Sequence, residues 1–209
     1  ISRGRLPDGT GNWCYFNPPS PNLSNAQNTC YAGQVQAPTT NVLSGYYNDA
    51  QLVTVSSAPN TSTYFTTNGD APDQNDFLVT GPISMNQSSV LSLRSFSNSG
   101  PMLPSAIVDH TYIINEDNHE LPVISIITDE ANLWDWDSGI YVMGPNASPN
   151  YPHFGSNFWQ PWSKKSRMEF FDASQQKQFD AIFDLEIHGG WSRAEPQKSF
   201  RIDAKSIYT

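Results

Sequence analysis

The cations best placed for phosphate chemistry in this sequence are Lys198 and Arg201, which follow the run Ile187-His188-Gly189-Gly190-Trp191-Ser192-Arg193. Two adjacent glycines allow a tight positive-φ bend. The stretch therefore reads as a strand, a glycine-pivoted loop and a second strand that carries both cations. Alternation puts residues three apart on opposite faces of a strand, so one cation can meet a phosphate while the other pairs with a carboxylate such as Glu195. The same spacing also suits two solvated charges at a sheet edge, where Lys discourages edge pairing.

Other chemistry is thinner. His188-Gly189-Gly190 would serve as a backbone oxyanion hole only beside a Gly-x-Ser-x-Gly elbow, which the sequence lacks. Ser174-Gln175-Gln176-Lys177 matches a Ser-x-x-Lys pattern but falls in a polar turn. His110, His119, His153 and His188 are scattered without ligand-like spacing. The acidic stretch 115–120 lacks the pattern of a calcium loop. No catalytic residue and no metal site are expected in this chain.

Five of the six Trp lie after residue 130, and exposed indoles stack on sugar rings. Trp159, Trp162 and Trp191 are therefore candidate carbohydrate contacts, against the commoner use of such residues in core packing and loop anchoring. Cys14 and Cys30 flank a Pro/Asn/Ser-rich loop. A bridge between them would stabilise by about 3 kcal/mol in the chain-entropy account. Two free cytosolic thiols are the alternative, and the Asn/Ser/Thr-rich composition favours the oxidising setting.

Composition bounds the rest. The 209 residues carry 11 basic and 20 acidic side chains, a net charge of −9. That balance disfavours nucleic acid as a partner. No apolar run reaches the roughly 20 residues of a membrane-spanning helix. Charged residues make up 15% and aromatics 12%, a profile of turn-rich all-β domains. The first residue is Ile1, and the sequence reads as a window of a longer protein.

The elements that must position these residues fall into four stretches. Residues 1–37 hold few apolar residues, a turn over 8–12, one strand over 13–16 and a loop over 18–28; they read as a terminal arm. Residues 38–114 alternate as an antiparallel sandwich, with strands near 51–56, 63–67, 77–80, 89–97 and 110–114, and Leu52 facing inward in the first of these. Asn68-Gly69 and Gly81-Pro82 are turn signals between them. Residues 115–120 read as a solvated linker. From 121 the character changes: an apolar run over 121–127 suits a strand covered on both faces, and a helical turn follows over 129–134. Further strands are expected over 139–142, 167–171 and 179–187. A Pro- and aromatic-rich loop spans 144–162, a length that is usually functional or disordered.

Three resemblances attach to these stretches. Pro7-Asp8-Gly9-Thr10-Gly11-Asn12-Trp13, with the Pro-rich stretch and Asn25, resembles the closing segment of lamin-tail-type domains. Gly45-Tyr46-Tyr47, Tyr64-Phe65-Thr66-Thr67-Asn68-Gly69-Asp70-Ala71-Pro72, Thr80-Gly81-Pro82-Ile83 and Leu91-Ser92-Leu93-Arg94-Ser95-Phe96 resemble the small β-sandwich at the C-terminal end of chitobiase-type hexosaminidases. That module is a spacer in secreted bacterial proteins, with no catalytic residues to carry over. Leu121-Pro122-Val123-Ile124-Ser125-Ile126-Ile127, Phe158-Trp159-Gln160-Pro161-Trp162, Met168-Glu169-Phe170-Phe171-Asp172 and the His188-Gly189-Gly190 run through Arg201 resemble the opening of CotH-type, spore-coat kinase-like domains.

The last resemblance implies an atypical kinase-like fold that binds ATP and a divalent metal such as Mg, with Lys198 where a phosphate-contacting base would sit. The acidic catalytic residues of that family lie beyond Thr209. The expected fold is thus mainly β: an immunoglobulin-like antiparallel sandwich, then, over 121–209, the β-rich opening of a kinase-like α+β domain. The expected role is structural or interactive and non-catalytic, in a secreted or surface-exposed bacterial protein whose partners are its own other domains, secreted proteins or glycans. Kinase activity of a longer parent, or carbohydrate binding, is the alternative.

Overall fold

Stretches of apolar and aromatic residues set between turn signals favour extended structure, and the computed structural model, which describes residues 1–116 and 120–204, is mainly β. In the arm, β1 (Ser2–Leu6) and β2 (Asn12–Phe16) form an antiparallel hairpin. Gly9 and Gly11 both have positive φ in its turn, and a Cβ on Gly11 would collide with the Leu6 carbonyl. A single strand was expected here. β1 escapes hydrophobic patterning because Arg3 and Arg5 lie over the Trp13 ring, at 5.0 and 5.1 Å from its centroid. A disulfide joins Cys14 to Cys30, and backbone bonds from Ala32, Val35 and Leu103 stitch the end of the arm to the segment at 101–103.

The sandwich comprises β3 (Thr39–Thr40), β4 (Gly45–Tyr47), β5 (Gln51–Val53), β6 (Val55–Ser56), β7 (Thr61–Thr66), β8 (Phe77–Leu78), β9 (Ile83–Met85), β10 (Ser89–Ser97) and β11 (Val108–Ile114). Five strands form one sheet in the order β4-β11-β10-β7-β8, and the pairs β5-β9 and β3-β6 form the rest. All ladders are antiparallel except β4 on β11. The core is built from Val53, Ile83, Met85, Leu91, Leu93, Tyr112 and Ile114. Leu52 does not join it: Val53 is fully buried and Leu52 is 60% exposed. Alternation continues through Thr54 in the opposite phase, with Val53 and Val55 on the core side and Leu52, Thr54 and Ser56 exposed.

The remaining elements are β12 (Val123–Ile127), α1 (Glu130–Trp134), β13 (Ser163–Phe171), β14 (Lys177–His188) and β15 (Ser199–Asp203). The strands form one antiparallel sheet in the order β12-β13-β14-β15. One face carries Phe183, Leu185 and Ile187 under a lid of Ile140 and Phe158. β12 is therefore an edge strand and not a central one, and Ile124 on it is exposed. The strand expected over 139–142 is absent. The apolar pair Ile140 and Tyr141 instead follows a bend, donating its N–H groups to the carbonyls of Asn132 and Leu133. The loop over 144–162 is ordered by its own bonds, with buried Asn157 donating from Nδ2 to the carbonyls of Trp136 and Gly139 at 3.0 Å each. Of the expected linker, Asn115 donates its N–H to the Tyr47 carbonyl and Glu116 accepts from Ser88; residues 117–119 lie outside the described residues.

Candidate functional site

Alternation along β11 points His110 and Tyr112 toward the sandwich core and Asp109 and Thr111 the other way. The outward pair meets the second sheet. On β13, Arg167 and Glu169 share one face, as their register opposite Ile127 and Ser125 requires. The two modules meet through polar groups on these faces.

Glu169 is 1% exposed. Its Oε2 accepts the Thr111 N–H at 2.7 Å, and its Oε1 accepts Ser44 Oγ and Lys177 Nζ at 2.6 Å each. β4 begins only opposite Tyr112, so the ladder offers the Thr111 N–H no partner and the carboxylate supplies one. Arg167 Nε donates to Asp109 Oδ2 at 2.6 Å, while Ser92 donates to Asp109 Oδ1 at 2.6 Å. Arg167 Nη2 reaches the Gly69 carbonyl at 3.1 Å, and Thr111 Oγ1 donates to Ser125 Oγ at 2.8 Å. Near α1 the modules exchange caps: Asp70 Oδ1 accepts the Glu130 N–H at 2.6 Å, and Asp129 Oδ1 accepts the Ala71 N–H at 2.7 Å. Asp129, at the N-terminal boundary of α1, makes no cap bond to it; the sandwich residue Asp70 supplies that acceptor.

His110 sits behind this junction. Its Nε2 lies 2.9 Å from Thr40 Oγ1 and its Nδ1 lies 3.2 Å from Ser44 Oγ. Ser44 has one hydroxyl hydrogen, and the shorter contact, to Glu169, claims it. Burial pushes the imidazole below its ordinary pKa, against the smaller opposing pull of the Glu169 charge. Lys177 is the reverse case: burial would lower it, but the hydrogen bond and charge of Glu169, followed by those of Asp180, raise it overall.

Lys198 and Arg201 do not converge. β15 starts one residue after Lys198, whose Nζ donates to the Glu195 carbonyl at 2.7 Å and stands 4.2 Å from the Phe158 ring centroid. Burial lowers its pKa. Arg201 faces Glu186 across the β14–β15 pair at 4.0 Å, not Glu195. Gly189 has φ +117 and makes the bend that precedes them.

Of the three indoles, Trp159 and Trp191 both pack against Phe154, and Trp162 stands apart. Trp191, 62% exposed, packs beside Tyr151 and Phe154 at centroid distances of 5.9 and 6.3 Å. Trp159 lies 5.0 Å from Phe154, half-buried, with Nε1 bonded to the Pro152 carbonyl. Trp162 lines a different hollow with Asp137, Ser138 and Lys164. Tyr151 donates from its hydroxyl to Glu195 Oε1 at 3.0 Å, which puts a carboxylate at the rim of the Trp191 cluster.

A family model described as the chitobiase/beta-hexosaminidase C-terminal domain matches residues 42–108. The match runs from the residue Val42 to the first residue of β11, and so covers most of the sandwich. No curated protein and no solved structure matches the chain. Among the described residues no helix is long and apolar enough to cross a membrane.

Proposed function

We propose that this chain is a structural and interaction segment of a modular extracytoplasmic protein, in which the chitobiase-type sandwich is a spacer held rigidly to the β-sheet module that follows it. The observation that carries this reading is Glu169, a buried carboxylate of the second module bonded to the sandwich backbone at Thr111 and to the sandwich side chain Ser44. A flexible spacer has no need of a buried, directional contact with its neighbour. Calorimetry of the 209-residue chain tests the proposal: one unfolding transition is expected in the wild type, and two independent transitions would refute it.

A second reading rests on the exposed cluster of Trp191, Tyr151 and Phe154. Aromatic faces beside a carboxylate suit a neutral glycan, whose C–H face stacks while its hydroxyls donate. A glycan array with uniformly blank spots would end it. The CotH-type resemblance of 121–209 supports a kinase-like origin for the second module, and ATP- and Mg-dependent phosphotransfer by a longer protein containing it would test that. The described residues themselves do not fit ATP and Mg: they include no group of three or more His, Cys, Asp or Glu able to hold a metal, and Lys198 is engaged by the Glu195 carbonyl and Phe158.

A further inference from the structure

Between the modules, beside the Arg167–Asp109 pair, lies a cleft of about 490 Å³ whose lining includes Arg94, Arg167, Lys165, Asp129, Asn132 and Gln34. Arm, sandwich and second sheet each contribute, and junctions of this kind are favoured places for small-molecule sites. Three of the chain's 11 basic residues gather here in a protein of net charge −9.

Arg94 is the unusual member. It is half-buried, its Nε donates to the Ser105 carbonyl at 3.3 Å, and its guanidinium carbon stands 5.6 Å from the Phe96 ring centroid. Among the described residues no carboxylate pairs with it. Burial first, and then the charge of Arg167, push its pKa down. A desolvated, repelled guanidinium without a counter-ion is costly. No buried side-chain nitrogen or oxygen among the described residues lacks a partner, so the Arg94 nitrogens beyond Nε, which bond to no protein group, are not buried, and the side chain lines the cleft.

The rest of the lining accepts. The amide nitrogens of Gln34 and Asn132 donate to the Pro104 carbonyl and to Thr128 Oγ1, leaving their side-chain oxygens to receive hydroxyl hydrogens. Asp129 uses Oδ1 on Ala71, and its second oxygen adds another acceptor.

We propose that this cleft binds a small hydroxylated acid, with the oxyanion held by Arg94 and the hydroxyls by Gln34, Asn132 and Asp129. A uronate and a sugar phosphate share this chemistry, and bidentate guanidinium contacts suit either oxyanion. The aromatic cluster at Trp191 contributes no residue to the site.

Titration calorimetry of the full chain with glucuronate, glucose 6-phosphate, glucose and orthophosphate tests the proposal. At least one acidic sugar binds, whichever oxyanion fits better; glucose gives no heat, and orthophosphate competes. Arg94→Gln weakens the acidic sugar by about tenfold or more, the loss of a charge-assisted contact, and Gln34→Ala, on the exposed arm, weakens it by about threefold. Near-UV circular dichroism verifies that each variant is folded; if Arg94→Gln is not, Gln34→Ala decides. Failure of both acidic sugars to bind, equal binding of glucose, or unchanged affinity in the folded variants overturns the proposal.

Discussion

Glu169 of β13 and Thr111 of β11, 58 residues apart in sequence, share a buried 2.7 Å bond in which a side chain of one sheet completes the backbone ladder of another. The second module thus finishes the hydrogen bonding of the first. A module whose hydrogen bonding is incomplete without its neighbour is expected to unfold together with it.

Glu169→Ala leaves the Thr111 N–H and the Ser44 hydroxyl without their acceptor and Lys177 with only Asp180. The expected loss is about 3 kcal/mol, the lower end for a broken buried charge pair because Lys177 is 28% exposed. Calorimetry should show the single transition splitting, with the second sheet melting first. An unsplit transition at the wild-type temperature would sink the coupling argument.

Acidification should weaken the junction through His110. Its folded pKa is depressed below 6.5, chiefly by burial, with Lys177 adding to the effect and Glu169, Asp109 and Asp180 opposing it. The unfolded chain therefore takes up the proton first, so the contribution is complete above pH 6.5 and is lost as pH falls through 6.5 towards the folded value. Melting temperature should drop between pH 7 and pH 5.5, and His110→Gln should flatten that slope. An identical slope in the variant would assign it to other groups.

Reduction of the Cys14–Cys30 bridge should act locally. Loss of the cross-link costs about 3 kcal/mol in the arm, so hydrogen exchange should accelerate in β1 and β2 while β10 keeps its protection. Uniform loss of protection would mean that the arm is integral to the sandwich core.

Trp191→Ala should weaken any glycan recovered from an array by about tenfold, one stacking contact's worth, and Trp162→Ala should leave it unchanged because Trp162 lines a separate hollow. Equal effects from both would disperse the site across the surface.

β10, the second half of β13 and most of β14 are legible in the sequence because each concentrates apolar and aromatic residues, and the polar turn over 172–176 joins the last two; the Lys- and Ser-rich start of β13 at 163–166 carries no such signal. Leu52 misleads because the sheet alternation places Val53 and Val55, not Leu52, on the core side, and three apolar types in a row-and-gap pattern fit either phase. Ile140 and Tyr141 look like a strand because burial, rather than sheet pairing, selects apolar residues there. The cations Lys198 and Arg201 draw attention by type, yet each finds a local partner. Glu169 does carry a signal: a carboxylate between Met168 and Phe170, followed by Phe171, needs partners if that end of the strand is buried. Those partners come from residues 44, 111 and 177, and no local pattern reveals that pairing.

The crossed caps at α1 have a mechanical corollary. Asp70 and Asp129 each grip the backbone of the opposite module, so twisting one module about the other strains both bonds whichever way the torque runs. The link behaves as a latch and not as a swivel, and a tether built from such units would hold its bearing under load until several bonds gave way at once.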